Sequence, residues 1–147
     1  IIDDEGVLRT ILLIDECHNL INIHNPFIAE QVATSLRELR KLFGAVWLAT
    51  QTPKEMKPIG NPQSSELITA VSSIDKIIDF MTYKFLFMLE NETKEVKALI
   101  GDNLTDEYLN VLPNLKRGET VFMTGTKVLK MEVHFDPERN RFYDGGQ

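Results

Sequence analysis

The chain has 147 residues, 43% hydrophobic and 26% charged, with a formal net charge of −6. That is enough chain for one domain with a real core, and its acidity argues against a broad electrostatic grip on nucleic acid by this segment alone. A single cysteine, Cys17, excludes an intrachain disulfide and fits a reducing compartment, and no apolar run approaches membrane-spanning length.

Val7 to Ile14 predicts a strand that ends at Asp15. Ile11-Leu12-Leu13-Ile14 is apolar without alternation, the pattern of a strand buried on both faces in a parallel sheet. It runs straight into two carboxylates, Asp15 and Glu16. Open α/β sheets bind ligands beyond the carboxyl ends of their strands. In P-loop nucleotide hydrolases this is the Walker B position. The first carboxylate there helps hold Mg²⁺, and its neighbour orients or deprotonates the attacking water. The bland alternative is a strand that merely ends on acids near a helix start.

Residues 17 to 26 predict a loop or short helix. Asn25-Pro26 is a helix start, with Asn as N-cap and Pro at the first helical position. The helix runs from Pro26 to Phe43, with Ile28, Val32, Leu36, Leu39 and Phe43 forming an apolar stripe. Gly44 is expected to close it as a C′ glycine. Ala45-Val46-Trp47-Leu48-Ala49 is a second apolar run, in which Trp47 reads as core, and it ends at Thr50-Gln51. Strand, helix, strand is a βαβ unit, so the two strands should be parallel. Asp15-Glu16 and Thr50-Gln51 then arrive at the same sheet edge, which weakens the bland reading of the acids. The amide of Gln51 offers both donor and acceptor, as a group that bonds a terminal phosphate and a lytic water must.

Residues 52 to 65, with Pro53, Pro58, Gly60 and Pro62, predict a loop leaving that edge. A helix follows over Ser65 to Phe80, then a third strand over Tyr83 to Leu89. Short helices are expected over Thr93 to Ile100, closed by Gly101, and Asp106 to Leu112, closed by Pro113. Thr120 to Thr124 and Leu129 to Phe135 predict a hairpin across Gly125-Thr126, where a glycine at the first turn position suits type II′. Leu129, Met131, Val133 and Phe135 alternate with Lys130, Glu132 and His134, giving one buried and one wet face. The tail from Asp136 is polar and reads as peripheral.

Other residues carry weaker signals. Arg37 and Arg40 lie on the polar face of the first helix. Their ordinary reading is a solvated face paired with Glu38 or Glu30; the functional one is an arginine finger presented to a phosphate across a subunit interface. His18 reads as a structural loop histidine and Cys17 as a small packing residue. Cys17, His18 and His24 lack a second cysteine or clear fourth ligand, so a metal site is not expected. No G-x-x-x-x-G-K-[ST] phosphate loop occurs, and without one a Walker B strand holds nucleotide poorly. The chain opens on Ile1-Ile2 rather than a natural initiation, and is read as part of something longer.

The order Ile11-Leu12-Leu13-Ile14-Asp15-Glu16, Arg40-Lys41, Thr50-Gln51 resembles the ATPases of conjugative type IV secretion. More narrowly it is similar to the large VirB/TraC-type cytoplasmic ATPase, a relative of the FtsK/HerA translocases. The specific motifs cover residues 11–51; the later strand, short helices and hairpin also resemble that family's C-terminal end. The resemblance implies an α/β fold, the C-terminal portion of a RecA-like P-loop NTPase core, mainly parallel with a closing β-hairpin. Residues 1–147 would be a single domain portion whose Walker A loop lies upstream. It implies ATP and Mg²⁺ as cofactors and a homo-hexamer at the cytoplasmic face of the inner membrane, among other secretion components. DNA contact is not indicated by this acidic segment. Asp15 would bind Mg²⁺ through water and, with Thr50, the nucleotide. Glu16 would position the lytic water, Gln51 would sense the terminal phosphate, and Arg40 falls on the position of the family's arginine finger. Two other readings compete. Asp15-Glu16-Cys17-His18 is a literal DExH helicase box, with Leu48 to Pro53 resembling the strand that follows it, but no Gln-x-x-Gly-Arg-x-Gly-Arg motif appears downstream. The third is a degenerate, non-catalytic ATPase-like interaction module, which would have no need of the intact Asp-Glu pair and Gln51.

Overall fold

The computed structural model describes residues 10–42, 44–57, 59–60 and 62–134. Strand β1 (Thr10–Ile14) leads through a 3-10 turn (Cys17–Asn19) to helix α1 (Pro26–Lys41), then β2 (Gly44–Leu48) and a short α2 (Pro53–Met56). Helix α3 (Ser65–Phe80), β3 (Tyr83–Leu86), α4 (Thr93–Ile100) and α5 (Asp106–Val111) follow. A 3-10 turn (Leu112–Asn114) then precedes β4 (Glu119–Thr124) and β5 (Lys127–Glu132). The architecture is mixed α/β.

The βαβ expectation holds. β1 and β2 are parallel, in register from Thr10 opposite Gly44 to Ile14 opposite Leu48. The ladder runs past both strands, with Ala49 N–H donating to Ile14 O (3.0 Å) and Cys17 N–H donating to Ala49 O (2.9 Å). The expectation of a mainly parallel sheet does not hold among the described residues. β3, β4 and β5 form a separate antiparallel sheet in that order. The reason is local: β4 and β5 are joined by a two-residue turn, and Tyr83–Leu86 pairs with β4 rather than with β1 or β2. Gly125 has φ 56 and Thr126 no positive φ, as a type II′ turn requires.

Helix α1 packs against α3, and the buried stripe keeps the expected Leu36 and part of Val32 but turns one residue round at Ala29 and Ala33. Ala29, Ala33 and Leu36 are buried, whereas Ile28 is exposed and Leu39 only half-buried. Small side chains at Ala29 and Ala33 on α1, and at Ala70 and Ser73 on α3, let two packed helices approach closely. Phe43, at the end of the expected stripe, lies outside the described residues, as do Val7 to Arg9 and everything from Phe135 onward. Gly44 is not a left-handed cap; it is the first residue of β2. A Cβ there would lie 3.2 Å from Leu39 O and 3.3 Å from Leu39 Cβ, so close approach of the returning chain explains the glycine.

Two cores result. Cys17, Ile21, Ala29, Leu36, Ile74 and Ile77 belong to the first, under β1 and β2. Val96, Leu104, Leu112, Val121 and Met123 belong to the second, under the antiparallel sheet. Helix α4 joins them, with Leu99 in the first core and Val96 in the second. Its end is set by Gly101 at φ 94, as anticipated, and α3 starts at its N-cap Ser64, whose Oγ accepts from Leu67 N–H (3.2 Å). Helix α5 ends at Val111, one residue short of the expected Leu112, and Pro113 lies in the 3-10 turn that follows.

Exposure corrects two expectations. Ile11, Leu13 and Trp47 are each more than half exposed, so β1 and β2 are not buried on both faces in this chain, and Trp47 is not core. On β5 and just after it the expected contrast holds for half-buried Met131 and Val133 against exposed Lys130, Glu132 and His134, but Leu129 is exposed and Val128 packs on the second core instead. The register sets this: Leu129 lies opposite Phe122, on the outer face where Phe122 meets Phe85 at 4.9 Å between centroids.

Candidate active site

The parallel ladder places the ends of β1 and β2 side by side, and the expected polar residues meet there. Gln51 Nε2 donates to Glu16 Oε1 at 2.6 Å. The amide nitrogen must face the carboxylate, since two oxygens at that distance would repel. Thr50 Oγ1 lies 2.9 Å from His18 Nδ1 and accepts from Thr52 N–H at 3.1 Å. Asp15 is exposed at the edge, its Oδ1 accepting from Glu16 N–H at 2.9 Å.

Glu16 itself is unusual. Its φ of 47° and ψ of 46° are left-handed, a region non-glycine residues enter at a cost of about 1–2 kcal/mol. Strain of this kind collects at functional sites. The turn is held by Asn19 N–H donating to Glu16 O (3.0 Å) and Ile21 N–H to Cys17 O (2.8 Å). Glu16 Oε2 is shielded from solvent and has no hydrogen-bond partner. Cys17, buried beneath the turn, has its thiol pushed up to about 11, chiefly by burial and further by the neighbouring Glu16 and Asp15 carboxylates. It is a neutral packing group, as its sequence reading held, and not a nucleophile.

Asp15, Glu16, Thr50 and Gln51 thus converge as the sequence implied. Arg40 stands in the last turn of α1, and its side chain falls outside the described residues. Arg37 does not pair with Glu38 or Glu30 in the expected way: its guanidinium carbon lies 6.0 Å from the Phe80 ring centroid, and Lys41 takes Glu38 instead (2.8 Å). Among the described residues no group of three or more His, Cys, Asp or Glu side chains could hold a metal ion. An Mg²⁺ taking most of its ligands from water and phosphate needs only one or two carboxylates, so the exposed Asp15 fits it.

Sequence reasoning missed three features: the left-handed Glu16, helix α2, and the burial of His18. The ring of His18 touches Thr50, Thr52, Glu16 and Glu55. A signal for it did exist. Any pairing that brings Glu16 to Gln51 also brings the turn after Glu16 to Thr50.

The fold and this edge define a mixed α/β chain with a carboxylate–amide pair at the carboxyl ends of two parallel strands. The chain is similar to a solved structure of VirB4 of Thermoanaerobacter pseudethanolicus, with a TM-score of 0.69 and 22% identity, over 93% of this chain and 34% of that one. That likeness shows the shared fold. It is also 35% identical over 146 residues to an uncharacterized protein of Bacillus anthracis, covering 97% of this chain and 22% of that protein. The chain therefore spans about a fifth of that relative's length and about a third of the VirB4 chain. No family model matches it. No helix among the described residues is long and apolar enough to cross a membrane.

Proposed function

We propose that this chain is the C-terminal portion of an ATP-hydrolysing motor domain of a type IV secretion or conjugation system. The observation that carries the reading is the Gln51 Nε2–Glu16 Oε1 hydrogen bond, made across parallel strands whose carboxyl ends form one edge. The likeness of fold to VirB4 supports it, as do the motifs at residues 11–51. The exposed Ile11, Leu13 and Trp47 support it too, because an open two-stranded pair with bare apolar residues suits one part of a larger sheet.

In this reading Asp15 would hold Mg²⁺ through water, and Thr50 would help hold the nucleotide. Bound Mg-ATP supplies the phosphoryl group and the charge that activates it. Glu16 orients the attacking water and accepts its proton. Gln51, already bonded to Glu16, is within reach of the same water and reports the state of the terminal phosphate. Arg40 completes the site of a neighbouring subunit in a homo-hexamer, which works at the cytoplasmic face of the inner membrane among other secretion components. The phosphate loop comes from upstream of residue 1.

The test is Glu16→Gln in the protein carrying its phosphate loop. Turnover should fall about 10²–10⁴-fold while ATP remains bound. Unchanged steady-state hydrolysis sinks the assignment.

A further inference from the structure

The proposed chemistry leaves His18 without a role, although it is among the few buried polar residues described, at 9% exposure. Its backbone is anchored, since Asn22 Nδ2 donates to His18 O at 2.7 Å. One ring edge faces the sheet ends, with Nδ1 2.9 Å from Thr50 Oγ1 and 3.4 Å from Glu16 Oε2. The other faces α2 and the residue before it, with Nε2 3.4 Å from Thr52 Oγ1 and 3.6 Å from Glu55 Oε2.

Glu16 Oε2 decides how the ring is used. A carboxylate oxygen screened from water and left without a donor is expensive, and Gln51 serves only Oε1. Nδ1 of His18 is the nitrogen beside it. A proton on Nδ1 lies between Oε2 and the Thr50 hydroxyl, and attracts both. The other tautomer would turn a lone pair toward the carboxylate and repel it. With Nδ1 protonated, Nε2 is an acceptor, and the Thr52 hydroxyl can donate to it. A proton on Nδ1 therefore accounts for Glu16, Thr50 and Thr52, while the Glu55 carboxylate, 3.6 Å from Nε2, is a neighbour that a second proton on Nε2 would suit.

We propose that His18 is a positioning residue for Glu16: its Nδ1–H fixes the carboxylate from the side opposite Gln51 and ties it to Thr50, while Nε2 fastens the ring to the start of α2. Glu16 is thereby held by two donors, Gln51 on Oε1 and His18 on Oε2. A general base that must address one water needs its carboxylate plane set, and displacement of a catalytic group by about 1 Å lowers rate about 10²-fold. The role rests on the ATPase reading; the ring geometry does not.

The experiment uses the complete protein, with its phosphate loop. His18→Leu, which keeps bulk but removes both nitrogens, should lower kcat roughly 10- to 100-fold and leave KM for ATP within about twofold. His18→Asn, whose amide N–H can stand where Nδ1–H stands, should recover most of that loss. An unchanged kcat in His18→Leu overturns the proposal, and so does an equal loss in both variants, which would mean packing alone. A second readout needs no turnover. Nitrogen-15 spectra of histidine-labelled protein without nucleotide, with His18 assigned by its disappearance in His18→Asn, should show a proton on Nδ1. A ring without a proton on Nδ1 overturns the geometry. Wild-type protein without Glu16-dependent hydrolysis would instead overturn the ATPase reading, and the spectra would still decide the ring.

Discussion

The two halves of the molecule use the same materials differently. Around β1 and β2, parallel pairing sends both carboxyl ends to one edge, and Glu16, Gln51, Thr50 and His18 meet there. Around β3, β4 and β5, antiparallel pairing alternates starts and ends along each edge. Polar groups in that second half therefore make isolated structural links. Thr120 Oγ1 donates to Leu86 O at 3.0 Å, and Lys130 Nζ donates to Glu119 at 2.7 Å. Chain direction, more than residue type, decides which sheet can gather a site.

The comparison can be broken first in the cores. Ile74→Ala in the first and Leu112→Ala in the second remove fully buried side chains, and each should lower stability by about 2–5 kcal/mol in urea denaturation. Because α4 contributes to both cores, a single transition is expected for each variant. Two separate transitions would show that the halves unfold independently.

Gly44→Ala should be milder and confined to the first half. The added methyl meets the Leu39 backbone at 3.2 Å, so a loss of about 1–3 kcal/mol is expected. A stability unchanged within error would show that α1 and β2 can separate at this point without penalty.

The smallest effects concern pH, and they fall on opposite sides. In the first half, the Cys17 thiol is raised from 9.0 to about 11 by burial. Its contribution is present below about pH 9 and is lost as pH rises through that interval. Thiol reagents at pH 8 should label it only on unfolding. In the second half, the Lys130 ammonium and the Lys116 backbone N–H hold Glu119 below the usual carboxylate range. That contribution is present above the ordinary value and is lost as pH falls through the folded one. Protection of the β4 and β5 amides against hydrogen exchange, after correction for the slower intrinsic exchange in acid, should therefore drop as pH falls, and Glu119→Gln should flatten the drop. An acid response centred on β1 and β2 would contradict the assignment.

Much of the local structure was legible in the sequence. The bounds of α3 and α4, the start of α1 at Pro26 and the turn at Gly125 follow from caps, periodicity and glycine geometry. Helix α2 was not legible, because a four-residue helix inside a proline-rich stretch has no periodicity to show. On β5 and just after it the expected contrast was legible at Met131 and Val133 against Lys130, Glu132 and His134, but the exposure of Leu129 was not, because it depends on the pairing of Leu129 with Phe122.

The sequence by itself determined the βαβ unit and the residues brought to its edge, since apolar runs, helix period and the handedness of short crossovers leave few other arrangements. The tertiary structure alone decided the rest: the left-handed turn at Glu16, the close seat of Gly44, the exposure of Trp47 and the burial of His18 against Thr50. Local propensities act over a few residues, whereas those four features depend on which distant atoms the fold brings within a few ångströms.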